Sequence, residues 1–388
     1  MTWSHCQENL TNRPLWRTEA YNWAMLLLVL ALGASAFVVG LAATWAATLL
    51  GRRLNALDAA GVDGQVKAAP RTVPNIGGVG VVVGLLVPIV GALVLAPMVD
   101  GPHRELTEPS VVVLAAVVLI SAMLLLHVLG LVDDRKPLGP WLKLVLMALP
   151  AVAIPLLTDT RLLTLLDAYP GGEIASVAIT ALWLLAMTNA LNFLDNMDGL
   201  AGGIAAIAGV FLTIAMLLAE QWFVAGLAAC VTGACLGFLP HNFPRARIFM
   251  GDGGSLVLGF VLGFLSVRGT YMSEGGGQWW GVLLPLLVLA VPLYDLTTVV
   301  ALRLSQGKSP LVGDLQHVSH RLAGVGRVGG LGRRGAVLVL WAFSMIAGAS
   351  GLLLLTVNAT GAIIIGVQAA VLMGVLAVLE FWPRGRAS

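Results

Sequence analysis

The chain has 388 residues, 58% of them hydrophobic and only 11% charged, with a formal net charge of +2. Soluble domains carry about 25% charged residues, so this composition, with a mean hydropathy of +0.92, excludes an ordinary water-soluble globular protein. The net charge says little about partners, and no run of basic residues interleaved with aromatics suggests nucleic acid binding, so none is expected.

Apolar runs of about 20 residues, the length that crosses a bilayer, recur along the chain. They predict an all-α integral membrane protein, a polytopic bundle of about eleven spans. These lie near 23–50, 76–98, 110–131, 141–157, 174–191, 199–219, 221–240, 254–270, 280–302, 334–356 and 360–382. Residues 1–22 are then an extracytoplasmic segment, 23–382 a single membrane domain and 383–388 a cytoplasmic tail. The first run is too long for a signal-peptide core and has no cleavage site, so it reads as a mature helix. The cysteines, Cys6, Cys230 and Cys235, are odd in number and form no CxxC. Cys230 and Cys235 lie in an apolar run and read as small hydrophobes.

Orientation follows from Lys and Arg, which accumulate on the cytoplasmic side of membrane proteins. With the N-terminus outside and the C-terminus inside, only Arg13, Arg17, Arg104, Arg161 and Arg268, of 22 basic residues, fall outside. Asp133, Asp134, Asp195, Asp198, Asp252, Asp314, His317 and His320 then all fall in cytoplasmic connections, although none of them was used to orient the chain.

Four segments carry the polar chemistry. Asp133-Asp134 closes the third span in HVLGLVDDRKPLGPWLKL, where two carboxylates meet the negative end of a helix dipole. A cation must offset them: Arg135, Lys136, Lys143 or a metal ion. TNALNFLDNMDGLAGG places Asn189, Asn192, Asp195, Asn196 and Asp198 at the end of the fifth span; Asp198-Gly199 could cap the next helix, but a cap does not explain Asn189 and Asn192. In HNFPRARIFMGDGGSLVLGF, Asp252 precedes Gly253-Gly254-Ser255 at a helix start, a geometry that suits an N-cap, a phosphate or a phosphate-bound Mg²⁺. GKSPLVGDLQHVSHRL sets His317 and His320 on one helix face beside Arg321, suited to phosphate oxygens or to a solvated basic loop. Asp295, inside the ninth span, either supports this site or bonds a neighbouring helix. His127 reads as a helix–helix contact. Together these residues suit phosphoryl transfer between a soluble nucleotide and a lipid phosphate at the cytoplasmic surface.

These segments, in this order, resemble the polyprenyl-phosphate N-acetylhexosamine-1-phosphate transferases, the MraY/WecA superfamily of glycosyltransferase family 4. NALNFLDNMDGLAGG and IFMGDGGSL carry the resemblance, PNIGG at Pro74–Gly78 adds to it, and it runs from about 51 to 325. It implies a Mg²⁺-dependent enzyme, with Mn²⁺ as a substitute, that moves a sugar 1-phosphate from a UDP-sugar to undecaprenyl or another polyprenyl phosphate and releases UMP. It implies Asp252 and Asp195 as metal ligands, and Asp133, Asp134 and Asp195 as catalytic carboxylates. It further implies Asn192, Asp198 and Phe249 at the nucleotide, and Lys67, Lys143, His317, His320 and Arg321 at phosphates or substrate. The apolar runs and the Lys and Arg distribution already predict a multi-pass protein of the cell membrane with its active site facing the cytoplasm; a homodimer is a family expectation. NFLDNMDG and HRL resemble the GlcNAc branch more than the muramoyl-pentapeptide branch, which is the alternative. Ala69, Pro137 and Ser319 depart from the family pattern. A transporter or flippase would show repeated halves and polar residues at the midplane, and the sequence shows neither.

Overall fold

The computed structural model describes residues 15–54, 73–95, 110–158, 160–269, 271, 279–309, 316–324 and 331–381. Lys67 and Asp314 lie outside them. The described residues form an all-helical polytopic membrane protein: α1 (Leu15–Arg53), α2 (Gly77–Leu95), α3 (Ser110–Arg135), α4 (Pro140–Leu157), α5 (Gly172–Leu194), α6 (Leu200–Leu218), α7 (Trp222–Asn242), α8 (Asp252–Arg268), α9 (Leu284–Val288), α10 (Ala290–Ser305), α11 (Val318–Ala323), α12 (Gly332–Leu353) and α13 (Ala359–Phe381). Nine of the described helices are long and apolar enough to cross a membrane, and ten if the bent α9–α10 pair counts as one span. The remaining expected span is α8, only 17 residues long.

Lipid tails are as apolar as the side chains they touch, so close packing rather than hydrophobicity joins such helices. The α1–α7 contact shows how. Any Cβ added to Gly233 would strike the Gly33 carbonyl, and one added to Gly237 would strike the backbone of Phe37 and Leu41. Glycine at these two positions, one helical turn apart, lets the backbones touch. Cys230 and Cys235 are buried on the same helix as free thiols.

At the centre stands α8, buried at every residue from Gly253 to Ser266 and packed against α2, α3 and α5. His127 of α3 lies 2.7 Å from the Gly253 carbonyl, the helix–helix contact expected of it. The expected ninth span is not one straight helix: it bends by 70° between Trp279–Val288 and Ala290–Ser305. Pro292 has no N–H to give to the Val288 carbonyl four residues back, and its ring crowds that carbonyl. Hydropathy alone does not register the break.

Candidate active site

The C-terminal ends of α3, α5 and α7 and the N-terminal ends of α2, α4, α6 and α8 meet at one end of the bundle. The polar segments therefore converge there from distant parts of the chain: Asp134 Oδ2 lies 3.5 Å from the Gly253 nitrogen, 119 residues away.

Asp252 opens α8, where a carboxylate is favoured by the positive end of the helix dipole. Its Oδ1 accepts a hydrogen bond from Asn192 Nδ2 at 2.8 Å, and its Oδ2 pairs with the Lys143 ammonium at short range. Lys143 also pairs with Asp133 Oδ2 at 3.0 Å and lies 3.5 Å from Asn192 Oδ1. One cation from α4 thus bridges the end of α3 to the start of α8. The other Asp133 oxygen accepts the Leu138 N–H at 2.8 Å, which sets the turn into α4.

Asp134 is held separately, accepting from Asn75 Nδ2 at 3.0 Å and lying 3.5 Å from the Gly253 N–H. Asn75 belongs to the Pro74–Gly78 segment, which docks on the loop before α8: Phe249 N–H donates to Pro74 O, Gly77 N–H to Phe249 O and Gly78 N–H to Met250 O, each at 2.8 Å. The dipole penalty on the two C-terminal aspartates of α3 is thus offset by one lysine, one asparagine and backbone N–H groups.

Gly251 shapes the same loop. Its φ of +68° is a left-handed value that glycine alone adopts without strain, and a Cβ there would meet Asp134 Oδ2 and Asn75 Oδ1.

Asp195 caps the end of α5. Burial pushes its carboxyl up to about 7, the charge of Asp252 adds to the rise, and the Gly251 N–H opposes it. Asp133, Asp134, Asp195 and Asp252 thus share this end of the bundle, with Lys143 bridging Asp133 and Asp252. Asp198 does not cap α6; its Oδ2 accepts from Ala246 N–H at 3.1 Å and anchors the loop that carries Phe249. Asn189 bonds back to the Leu185 carbonyl at 2.8 Å.

A second polar group centres on α11. His317 Nδ1 is 2.8 Å from Asp295 Oδ2, and its ring lies 5.8 Å from that of Phe193, next to Asn192. Burial lowers the His320 pKa, and the charges of His317 and Arg333 lower it further. Arg321 is turned away from the carboxylates: it pairs with Glu380 of α13 at 2.5 Å, bonds the Gln316 carbonyl and lies over the Phe381 ring, 5.4 Å from its centre. Ser319 Oγ donates to Asn196 Oδ1 at 2.6 Å, which ties α11 to the α5–α6 connection.

The structure therefore gathers Asp133, Asp134, Lys143, Asn192, Asp195 and Asp252. It sets His317 and His320 in an adjoining group and separates Arg321. Sequence reasoning gave no role to Asn75 or to Ser255, whose Oγ lies 3.0 Å from Asn192 Nδ2. Their signal was weak: each is a lone polar residue in an apolar, glycine-rich segment.

Among the described residues, no group of three or more His, Cys, Asp or Glu is arranged to hold a metal ion by itself. The carboxylates of Asp252 and Asp195 are nonetheless hard oxygen donors, that of Asp252 being held here by Asn192 Nδ2 and Lys143 Nζ. They fit a cation that takes one or two carboxylates and fills its remaining positions with substrate phosphates and water, the habit of Mg²⁺.

Residues 116–270 match the family model described as Glycosyl transferase family 4. The chain is 30% identical to the probable undecaprenyl-phosphate N-acetylglucosaminyl 1-phosphate transferase of Bacillus subtilis, over 82% of this chain and 84% of that protein. It is 30% identical to the decaprenyl-phosphate N-acetylglucosaminephosphotransferase of Mycobacterium leprae, over 89% and 90%. It is 32% identical to the phospho-N-acetylmuramoyl-pentapeptide-transferase of Moorella thermoacetica, over 79% and 92%.

Proposed function

Because the chain belongs to glycosyl transferase family 4, we propose that it transfers N-acetylglucosamine 1-phosphate from UDP-GlcNAc to a polyprenyl phosphate such as undecaprenyl phosphate. A lipid-phosphate oxygen forms a bond to the β-phosphorus, the bond from that phosphorus to the bridging oxygen breaks, and UMP leaves with the electron pair. The observation that carries this reading is the Asp133–Lys143–Asp252 bridge, with Asp134 and Asp195 beside it at one end of a membrane bundle.

Asp252 and Asp195 would hold Mg²⁺, or Mn²⁺ in its place. When bound, the ion would neutralise the diphosphate and draw electron density from the phosphorus under attack. Lys143 exchanges a carboxylate for a phosphate oxygen as substrate enters. Asp133 and Asp134 orient the lipid phosphate, and one of them takes its proton. Asn192, Asp198 and Phe249 receive the nucleotide, with Phe249 stacking on uracil. Lys67, His317 and His320 hold phosphates, while Arg321, committed to Glu380, secures α11.

In the same reading the chain crosses the cell membrane eleven times, with its N-terminus outside, its C-terminus inside and the carboxylates facing the cytoplasm. The distribution of Lys and Arg supports this orientation. Purified protein with Mg²⁺, undecaprenyl phosphate and a panel of UDP-sugars should release UMP with UDP-GlcNAc. Turnover of UDP-N-acetylmuramoyl-pentapeptide instead would move the chain to the muramoyl branch, and no UMP with any sugar from folded protein would sink the reading.

A further inference from the structure

Asp295 is fully buried, and both of its oxygens are occupied. Oδ2 lies 2.8 Å from His317 Nδ1, and Oδ1 accepts the Val318 N–H at 2.8 Å. Val318 is the first residue of α11, and His317 is its N-cap. A buried carboxylate with no solvent must be paired, and here the pairing has a chemical consequence. A carboxylate accepts hydrogen bonds, so Nδ1 must carry a proton, and the ring presents Nε2 as its remaining nitrogen. The hydrogen bond at one ring nitrogen decides the state of the other.

From this geometry we infer that Asp295 is a positioning residue for sugar-phosphate transfer: it sets the tautomer and direction of His317 so that Nε2 meets the UDP-sugar. The hydrogen bond to Val318 N–H fixes the start of α11 at the same time, so ring and helix are aimed by one side chain. The Phe193 ring lies against His317, and Phe193 adjoins Asn192, which bonds Asp252. His317 therefore stands close to the carboxylate group, one ring contact and one residue away from Asn192. The inference rests on His317 serving the proposed reaction, but the dyad itself can be observed without turnover.

Asp295→Asn is the discriminating change. Asparagine keeps an oxygen for the Val318 N–H and offers an N–H where the carboxylate accepted, so Nδ1 must become the acceptor and the proton must move to Nε2. Nitrogen-15 NMR of full-length protein labelled at histidine, with the His317 signal assigned by its loss in His317→Gln, should show protonated Nδ1 in the wild type and unprotonated Nδ1 in Asp295→Asn. In the UMP-release assay, Asp295→Asn should lower kcat/KM for UDP-GlcNAc about 10- to 100-fold, as when a functional histidine loses its carboxylate partner. In the His317→Gln background the same change should cost less than about 3-fold.

An unprotonated Nδ1 in the wild type, or an equal loss in both backgrounds, would overturn the inference. Should Asp295→Asn fail to fold, Asp295→Glu and its double variant with His317→Gln carry the same comparison, and equal losses there overturn it too. Failure of the wild type to release UMP would strike the proposed reaction while leaving the NMR result to judge the dyad.

Discussion

Both oxygens of Asp252 are engaged, one by Asn192 and the other by Lys143, so its position is fixed before a ligand arrives. Asp252→Asn keeps the shape and removes the charge. It should reduce turnover by at least about 10²- to 10³-fold, the range for losing one electrostatic contact in a transition state, while the protein elutes normally in size-exclusion chromatography. Retained turnover would remove Asp252 from the reaction. Asp195 yields a prediction about pH. Between the ordinary carboxylate range and about 7, the folded protein keeps a proton that the unfolded chain has released, so stability falls as pH rises through that window. Thermal denaturation in divalent-free detergent buffer should show this fall, and Asp195→Asn should make it less steep; equal slopes would contradict the assignment.

Among the elements, the crossing of α3 and α8 brings Asp134 to the start of α8. Gly130 makes that crossing possible, because a Cβ there would run into the backbone of Asp252 and Gly253. Gly130→Ala should shift the start of α8 and cut kcat/KM by about tenfold or more, whereas Gly91→Ala, with nothing within 4 Å of the added carbon, should leave it unchanged. Comparable kinetics for the two variants would show that the crossing tolerates movement. The spans and the polar segments were legible in the sequence because hydropathy and charge are local. Lys143 meeting Asp252 was not, since it depends on how α4 and α8 approach across 109 residues. Arg321 reads from sequence as a phosphate ligand, but Glu380, a lone acid near the end of an apolar helix, claims it. The bend before Pro292 was visible only as a proline, since prolines also occur in α4, which stays continuous.

For the whole molecule, the one-ended gathering of acids and the asymmetry of Lys and Arg make a joint prediction about sidedness. In a chain with Cys6→Ser, whose Cys230 and Cys235 are buried, a cysteine at exposed Lys308 should react with an impermeant maleimide only in inverted vesicles. A cysteine at exposed Glu173 should react only in right-side-out ones, and the reverse pattern would overturn the orientation. The chemistry is decided by following phosphorus. UDP-GlcNAc labelled with ³²P in the β-phosphate, incubated with purified protein, Mg²⁺ and undecaprenyl phosphate, should pass its label to the lipid, while an α-label should leave as UMP. A β-label that remains in UDP, or a lipid that gains no phosphate, would contradict sugar-phosphate transfer at this site.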